Sequence, residues 1–102
     1  MVSFVGIDDR GNEKEQGIGK TQDISIGGVL IETHFPIVSK DILLTANGIK
    51  GELVNIAGKV VRRSAEASGM FRTGIQFLED NEKTRLFIIS LIKAYSKQKT
   101  QN

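Results

Sequence analysis

The strongest constraint on this chain lies between residues 71 and 77, where Phe71, Thr73, Ile75 and Phe77 alternate with Arg72, Gly74 and Gln76. Successive side chains of an extended strand point to opposite faces, so this spacing predicts a strand with one face in a core and the other in water. Gly74 and the apolar residues around it are assigned to that core. Upstream segments read the same way. Val2 to Ile7 is short and apolar, and Asp8-Asp9-Arg10-Gly11-Asn12 is a turn sequence. Glu13 to Ile26 makes an extended return strand that Gly27-Gly28 interrupts. Val29 to Thr33 is again β-rich, and Pro36 stops it near Phe35 because proline has no amide to give to a ladder. Asp41 to Ala46 is another strand, followed by Asn47-Gly48, a preferred dipeptide for a two-residue hairpin turn. Leu53 to Arg63 forms a long strand, with Val54, Ile56, Val60 and Arg62 sharing one face in the simplest register, and Ser64 to Gly69 is a loop of small residues.

The period changes after residue 79. Leu86, Ile89 and Ile92, with Ile88, Leu91 and Tyr95, form a broad apolar face at helical spacing. Asp80 can cap this helix by accepting from the free amides of its first turn. The helix is expected over about 80–97, closing an open side of the strand region, and the polar residues 98–102 form a frayed tail. About six strands with closely spaced turns and one C-terminal helix predict an all-β, mainly antiparallel barrel or curled sheet. A chain of 102 residues has room for one such domain, placed at 1–97.

Composition narrows the function. There is no cysteine, which excludes disulfide frameworks and thiolate metal sites. The start, Met1-Val2-Ser3-Phe4-Val5, has no basic region followed by a long apolar stretch, unlike a signal peptide. A cytoplasmic location is expected. The longest apolar stretch, Leu86 to Ile92, is far shorter than the roughly 20 residues that span a bilayer. A net charge of +2 permits an anionic ligand without pointing to DNA or a membrane. Single-strand nucleic-acid binding requires exposed aromatics along a basic groove. The five Phe and one Tyr lie mostly on expected core faces, so no nucleic-acid partner is assigned.

The most informative local pattern is Asp23-Ile24-Ser25-Ile26-Gly27-Gly28, a D-x-S-x-x-G sequence. In an extended chain Asp23 and Ser25 share a face, and a carboxylate beside a hydroxyl can hydrogen-bond the edge of a purine. The glycines allow a tight turn and close approach of a ligand. Asp, Ser and Gly are also what an ordinary turn between strands uses.

The stretch Gly6 to Thr33 resembles a PilZ domain: a short strand ending in Gly-Ile-Asp-Asp-Arg-Gly-Asn, then Thr21, then Asp23-Ile-Ser-Ile-Gly-Gly-Val-Leu-Ile. Gly58-Lys-Val-Val-Arg62, Thr73-Gly-Ile-Gln-Phe-Leu78 and a helix after Glu79-Asp80 are similar to the family's later elements, so the resemblance covers most of the chain. It implies a six-stranded β-barrel with a C-terminal helix, commonly a receptor for cyclic di-GMP. Asp23, Ser25 and Gly28 match the family's second binding motif and are expected to contact a guanine or shape the surface beneath it. The family's first motif, R-x-x-x-R before the first strand, clamps phosphate and guanine through forked guanidinium donors. It occurs nowhere in this chain. The nearest sequence, Arg10-Gly-Asn-Glu-Lys14, follows the first strand. Either the arginines have been lost, or an upstream part of a longer protein carries them. Arg10, Lys14, Lys20, Arg62, Arg63 and Arg72 are the basic residues that could compensate.

Two readings follow from the resemblance. One is a bacterial signalling module that binds cyclic di-GMP, with upstream residues folding over the ligand, and relays it to a partner. The other is a degenerate domain that binds no nucleotide and serves as a protein-interaction adaptor. The family-level partners are motility, pilus or exopolysaccharide machinery. Other motifs fail. Gly17-Ile-Gly-Lys-Thr21 resembles the end of a P-loop, but Lys14 stands where its first glycine belongs. The G-x-G-x-x-G pattern fails at Gln22, so Gly17 and Gly19 are read as serving a bulge or turn. His34, the only histidine, is a poor metal site alone, and Ser25, His34 and Asp41 have no catalytic spacing. No enzyme activity, cofactor or metal is expected.

Overall fold

A computed structural model describes residues 1–47, 51–79 and 81–100. It contains β1 (Val2–Ile7), β2 (Glu13–Ile24), β3 (Gly28–Thr33), β4 (Asp41–Asn47), β5 (Leu53–Ala65), β6 (Phe71–Phe77) and α1 (Glu82–Thr100). The strands form a closed barrel in the order β1-β2-β3-β6-β5-β4, with every neighbouring pair antiparallel. Pairing of β1 with β4, Phe4 opposite Leu44, closes the ring, which satisfies strand edges that would otherwise invite other chains.

Alternation puts Phe4, Val29, Ile31, Ile42, Leu44, Ile56 and Ile75 in the interior. The expected pattern in β6 holds, with Thr73 and Ile75 buried and Phe71 and Phe77 half-buried. So narrow a barrel cannot carry bulky residues on every wall. A Cβ at Gly17 would lie 2.8 Å from the Phe4 ring, and one at Gly19 would lie 3.1 Å from Ile31. These two glycines make room for large neighbours within β2, and the bulge-or-turn reading of them is corrected.

Each barrel end is closed differently. The connection between β3 and β4 crosses one end and inserts Ile37, which is 1% exposed. Its backbone is held from two sides. Arg63 donates to the carbonyls of Ile37 (2.8 Å), Val38 (3.4 Å) and Ser39 (2.9 Å), while the Glu15 carboxylate accepts from the amides of Val38 (3.1 Å) and Ser39 (2.7 Å). Helix α1 covers the other end through Ile88, with Phe87 and Ile92 packed against the core. Its buried stripe includes Thr84, so Leu86, expected on this face, instead points outward and is 60% exposed.

The helix begins later and ends later than expected. The amide of Thr84 donates to Asn81 Oδ1 at 2.8 Å, which makes Asn81 a cap. Asp80, the expected cap, lies outside the described residues, as does Gly48 of the expected hairpin. The helix reaches Thr100 because residues 98–100 include no glycine or proline to break it. Strand β5 runs two residues past Arg63, and β2 stops at Ile24, two short of Ile26. Among the described residues no helix is long and apolar enough to cross a membrane.

Replacing Arg63 by alanine leaves three carbonyls of the crossing connection without their donor. The expected loss is about 1–2 kcal/mol, at the low end for charged hydrogen bonds because the side chain is exposed. Urea denaturation checks this: the midpoint should fall with the slope unchanged.

Candidate functional site

Two bulges determine what the barrel presents on the outside of β2, β3, β6 and β5. In the β2–β3 ladder Thr21 faces the buried Ile31, so an unbroken β2 would turn Gln22 outward and Asp23 inward. The register slips between Thr21 and Asp23, and Asp23 pairs with Leu30. One extra residue reverses every later side chain, placing the carboxylate of Asp23 outside and Ile24 inside. The same device operates in β5. Val60 pairs with Ile75, then the register slips and Arg62 pairs with Gly74. Arg62 therefore does not share the inner face of Val54, Ile56 and Val60; the bulge turns it outward, correcting the simple-register expectation.

The two slips create one outer row, Asp23–Leu30–Gly74–Arg62. With strands about 4.8 Å apart, its ends are about 14 Å apart along the sheet. The adjacent row begins with Ser25 and Gly28, whose backbones exchange hydrogen bonds of 2.8 and 3.4 Å across the hairpin, and continues to Gln76 and Lys59. Together these rows line a shallow 390 Å³ groove that includes Asp23, Ser25, Gly28, Leu30, Gly74 and Arg62. Asp23, Ser25 and Gly28 are thus brought together as the sequence motif suggested.

Two of the glycines lining the groove, Gly28 and Gly74, have opposite reasons to be there. A Cβ on Gly28 would collide with the carbonyl oxygen of Ile75. Close approach of β6, not of a ligand, requires glycine at 28, and neither Gly27 nor Gly28 has a left-handed φ. A Cβ on Gly74 would meet Arg62 Cβ at 3.5 Å, an ordinary contact. Packing does not demand glycine there, and its effect is to leave the groove floor flat. Gly74 belongs to this outer surface, not to the core as expected.

The polar groups at the groove are poised differently. Asp23 Oδ1 accepts from the Ile24 amide at 3.0 Å, while Oδ2 has no partner among the described residues. Ser25 Oγ reaches the Gly28 carbonyl only at 3.4 Å. Arg62 is exposed and makes no ion pair or hydrogen bond among the described residues. Its guanidinium is available to a ligand.

The other basic candidates are either held by partners or placed away from the groove. Arg72 sits one row away, bound to Glu32 at 3.3 Å and Glu66 at 3.2 Å. Arg63 holds the crossing connection. Lys20 lines the cavity beneath α1 and not the groove. Arg10 and Lys14 lie at the β1–β2 turn, with Lys14 Nζ 3.8 Å from Asp8 Oδ2. Lys14 is nine positions along β2 from Asp23, about 30 Å in an extended strand. The Asp8 carboxyl is held below its ordinary range, first by the Asn12 amide and further by the Arg10 amide and Lys14. These groups shape a turn and do not join the groove.

Ser25, His34 and Asp41 do not converge. Ser25 and Asp41 belong to opposite ends of one outer row, and His34 lies beyond the far end of β3. Among the described residues no group of three His, Cys, Asp or Glu could hold a metal. Leu30, Gly74 and Gln76 were missed as groove residues because only cross-strand register brings them beside Asp23.

The PilZ domain family model matches residues 4–94, nearly the whole described barrel and much of α1. The chain belongs to the PilZ domain family. No curated protein and no solved structure matches it. The PilZ family comprises cyclic di-GMP-binding and adaptor domains, known as binding modules and not as enzymes. The match takes in all the groove residues of this PilZ domain, including both bulges.

The different roles of the two glycines can be separated. Gly28→Ala should cost about 1–3 kcal/mol because backbone must shift. Gly74→Ala should be neutral or mildly stabilising, since alanine loses less conformational entropy on folding. Denaturant titration of the two variants checks the contrast.

Proposed function

We propose that this PilZ domain binds cyclic di-GMP in the groove between Asp23 and Arg62 and relays its presence to a partner protein in a bacterial cytoplasm. The observation that carries the reading is the outer row itself: a carboxylate acceptor and an uncommitted guanidinium flank a floor without a side chain at Gly74. The ligand is a dianion with two guanines. A guanine edge offers N–H donors suited to Asp23 and paired acceptors suited to a forked guanidinium. Arg62 can alternatively meet a phosphate, where its charge and planar fork are equally suited. The flat strip over Leu30 and Gly74 accommodates a planar base, with Ser25 at its border. Arg62 supplies in part what the absent R-x-x-x-R supplies elsewhere in the family.

One observation favours a second reading, the nucleotide-free adaptor. Gly28 is required by contact with the Ile75 carbonyl, so this member of the motif is explained by the fold without a ligand. The motility, pilus or exopolysaccharide machinery named for the family would then be a direct partner of the barrel surface.

Titration calorimetry of cyclic di-GMP into the folded chain at moderate salt separates the two. Under the first reading binding is measurable. The double variant Asp23→Ala with Ser25→Ala abolishes it, and Arg62→Ala weakens it by about tenfold or more, corresponding to one lost charged hydrogen bond. Arg10→Ala, at the distant turn, leaves it unchanged. Absence of binding by the folded chain, or undiminished affinity in the folded double variant, would reject the groove as the nucleotide site.

A further inference from the structure

The bulge that turns Asp23 outward has a tether on the helix. Gln22 is the extra residue of β2, and such a residue is left outside the regular ladder. Its half-buried carbonyl accepts from the hydroxyl of Tyr95, on α1. Ordered backbone acceptors in such places need a partner, and the helix supplies it. A second observation points the same way. Ile24 and Val29 line both the groove and the 750 Å³ cavity between α1 and the barrel mouth. The helix, the bulge and the groove are therefore contiguous.

We propose that Tyr95 is a positioning residue for Asp23: by holding the Gln22 carbonyl it keeps the bulge in the register that presents the carboxylate to the groove, so docking of α1 and occupancy of the groove are coupled. The coupling rests on the groove being the ligand site, whereas the positioning can be observed without ligand. Linkage makes the effect reciprocal. A ligand on Asp23 tightens the seating of α1, and a partner that draws α1 away weakens the ligand. The helix thereby becomes the element through which a partner senses the groove.

Tyr95→Phe removes the hydroxyl and keeps the ring, so the fold should survive. The Ile24 amide, which donates to Asp23 Oδ1, is a direct reporter of that carboxylate. In ligand-free protein the variant should shift the Ile24 amide resonance and speed its hydrogen exchange, and its affinity for cyclic di-GMP should fall roughly three- to tenfold. The control is Ser90→Ala, which removes another hydroxyl of the same helix, one that donates to the Phe87 carbonyl at 2.7 Å. It should change neither readout. A merely structural role for Tyr95 would lower the melting temperature while leaving the Ile24 amide as in the wild type, and that result overturns the proposal. Should the wild-type chain bind no cyclic di-GMP, the proposed function fails, and the ligand-free Ile24 measurement still decides whether Tyr95 positions Asp23.

Discussion

Closure of six strands into a ring is the constraint on which the other features depend. The β1–β4 pairing removes both sheet edges, but it forces the inner faces close together. Phe4 and Ile31 fit only because β2 gives up side chains at Gly17 and Gly19. A ring also has two open ends, each of which would expose the core. Ile37 closes one from a connection whose backbone groups are bound by Arg63 and Glu15, and Ile88 closes the other from α1. Arginine, glutamate and helix are thus parts of one solution to a packing problem.

The bulges are where the barrel's geometry becomes relevant to chemistry. Each adds one residue to one strand, and the side-chain period of two makes every later residue change face. Without the slip at Gln22, Asp23 would point at the core; without the slip at Val61, so would Arg62. Both slips lie in the same part of the sheet, and their combined result is a carboxylate and a guanidinium flanking Leu30 and Gly74. The bulge in β2 also leaves the Gln22 carbonyl for Tyr95 to bind, which brings the helix into contact with the groove's supporting backbone.

Charge count was a poor guide to which cations can serve a ligand. The local sequence offered Arg10, Lys14, Lys20, Arg62, Arg63 and Arg72 as equals. Partnering and placement separate them: Arg72 neutralises Glu32 and Glu66, Arg63 holds carbonyls, Lys14 faces Asp8, Arg10 and Lys20 lie outside the groove, and Arg62 remains for it. Glycines divide similarly. Gly28 is required by the backbone of β6, whereas Gly74 is a place where a side chain would fit and is missing. Nothing in the identity of a glycine or an arginine distinguishes these cases, because the distinction lies in what stands across the ladder.

The strands, the helix, the barrel and the proximity of Asp23, Ser25 and Gly28 were legible in the sequence because they rest on local signals. Two-residue alternation, turn chemistry and helical spacing act over a few neighbours, and Phe71–Phe77 shows how directly they can be read. The first turn of the helix is capped from Asn81, which the local pattern did not single out, and Leu86 turns away from the expected face, where a small rotation of the helix stripe decides. The tertiary structure alone decided the registers of β2 and β5, the outward turn of Arg62, the surface role of Gly74 and the meeting of Tyr95 with Gln22. A bulge has no strong local signature, since its location is settled by which cross-strand pairing buries Ile24 and Val60 together. Those partners are distant along the chain, and only the closed ring brings them into register.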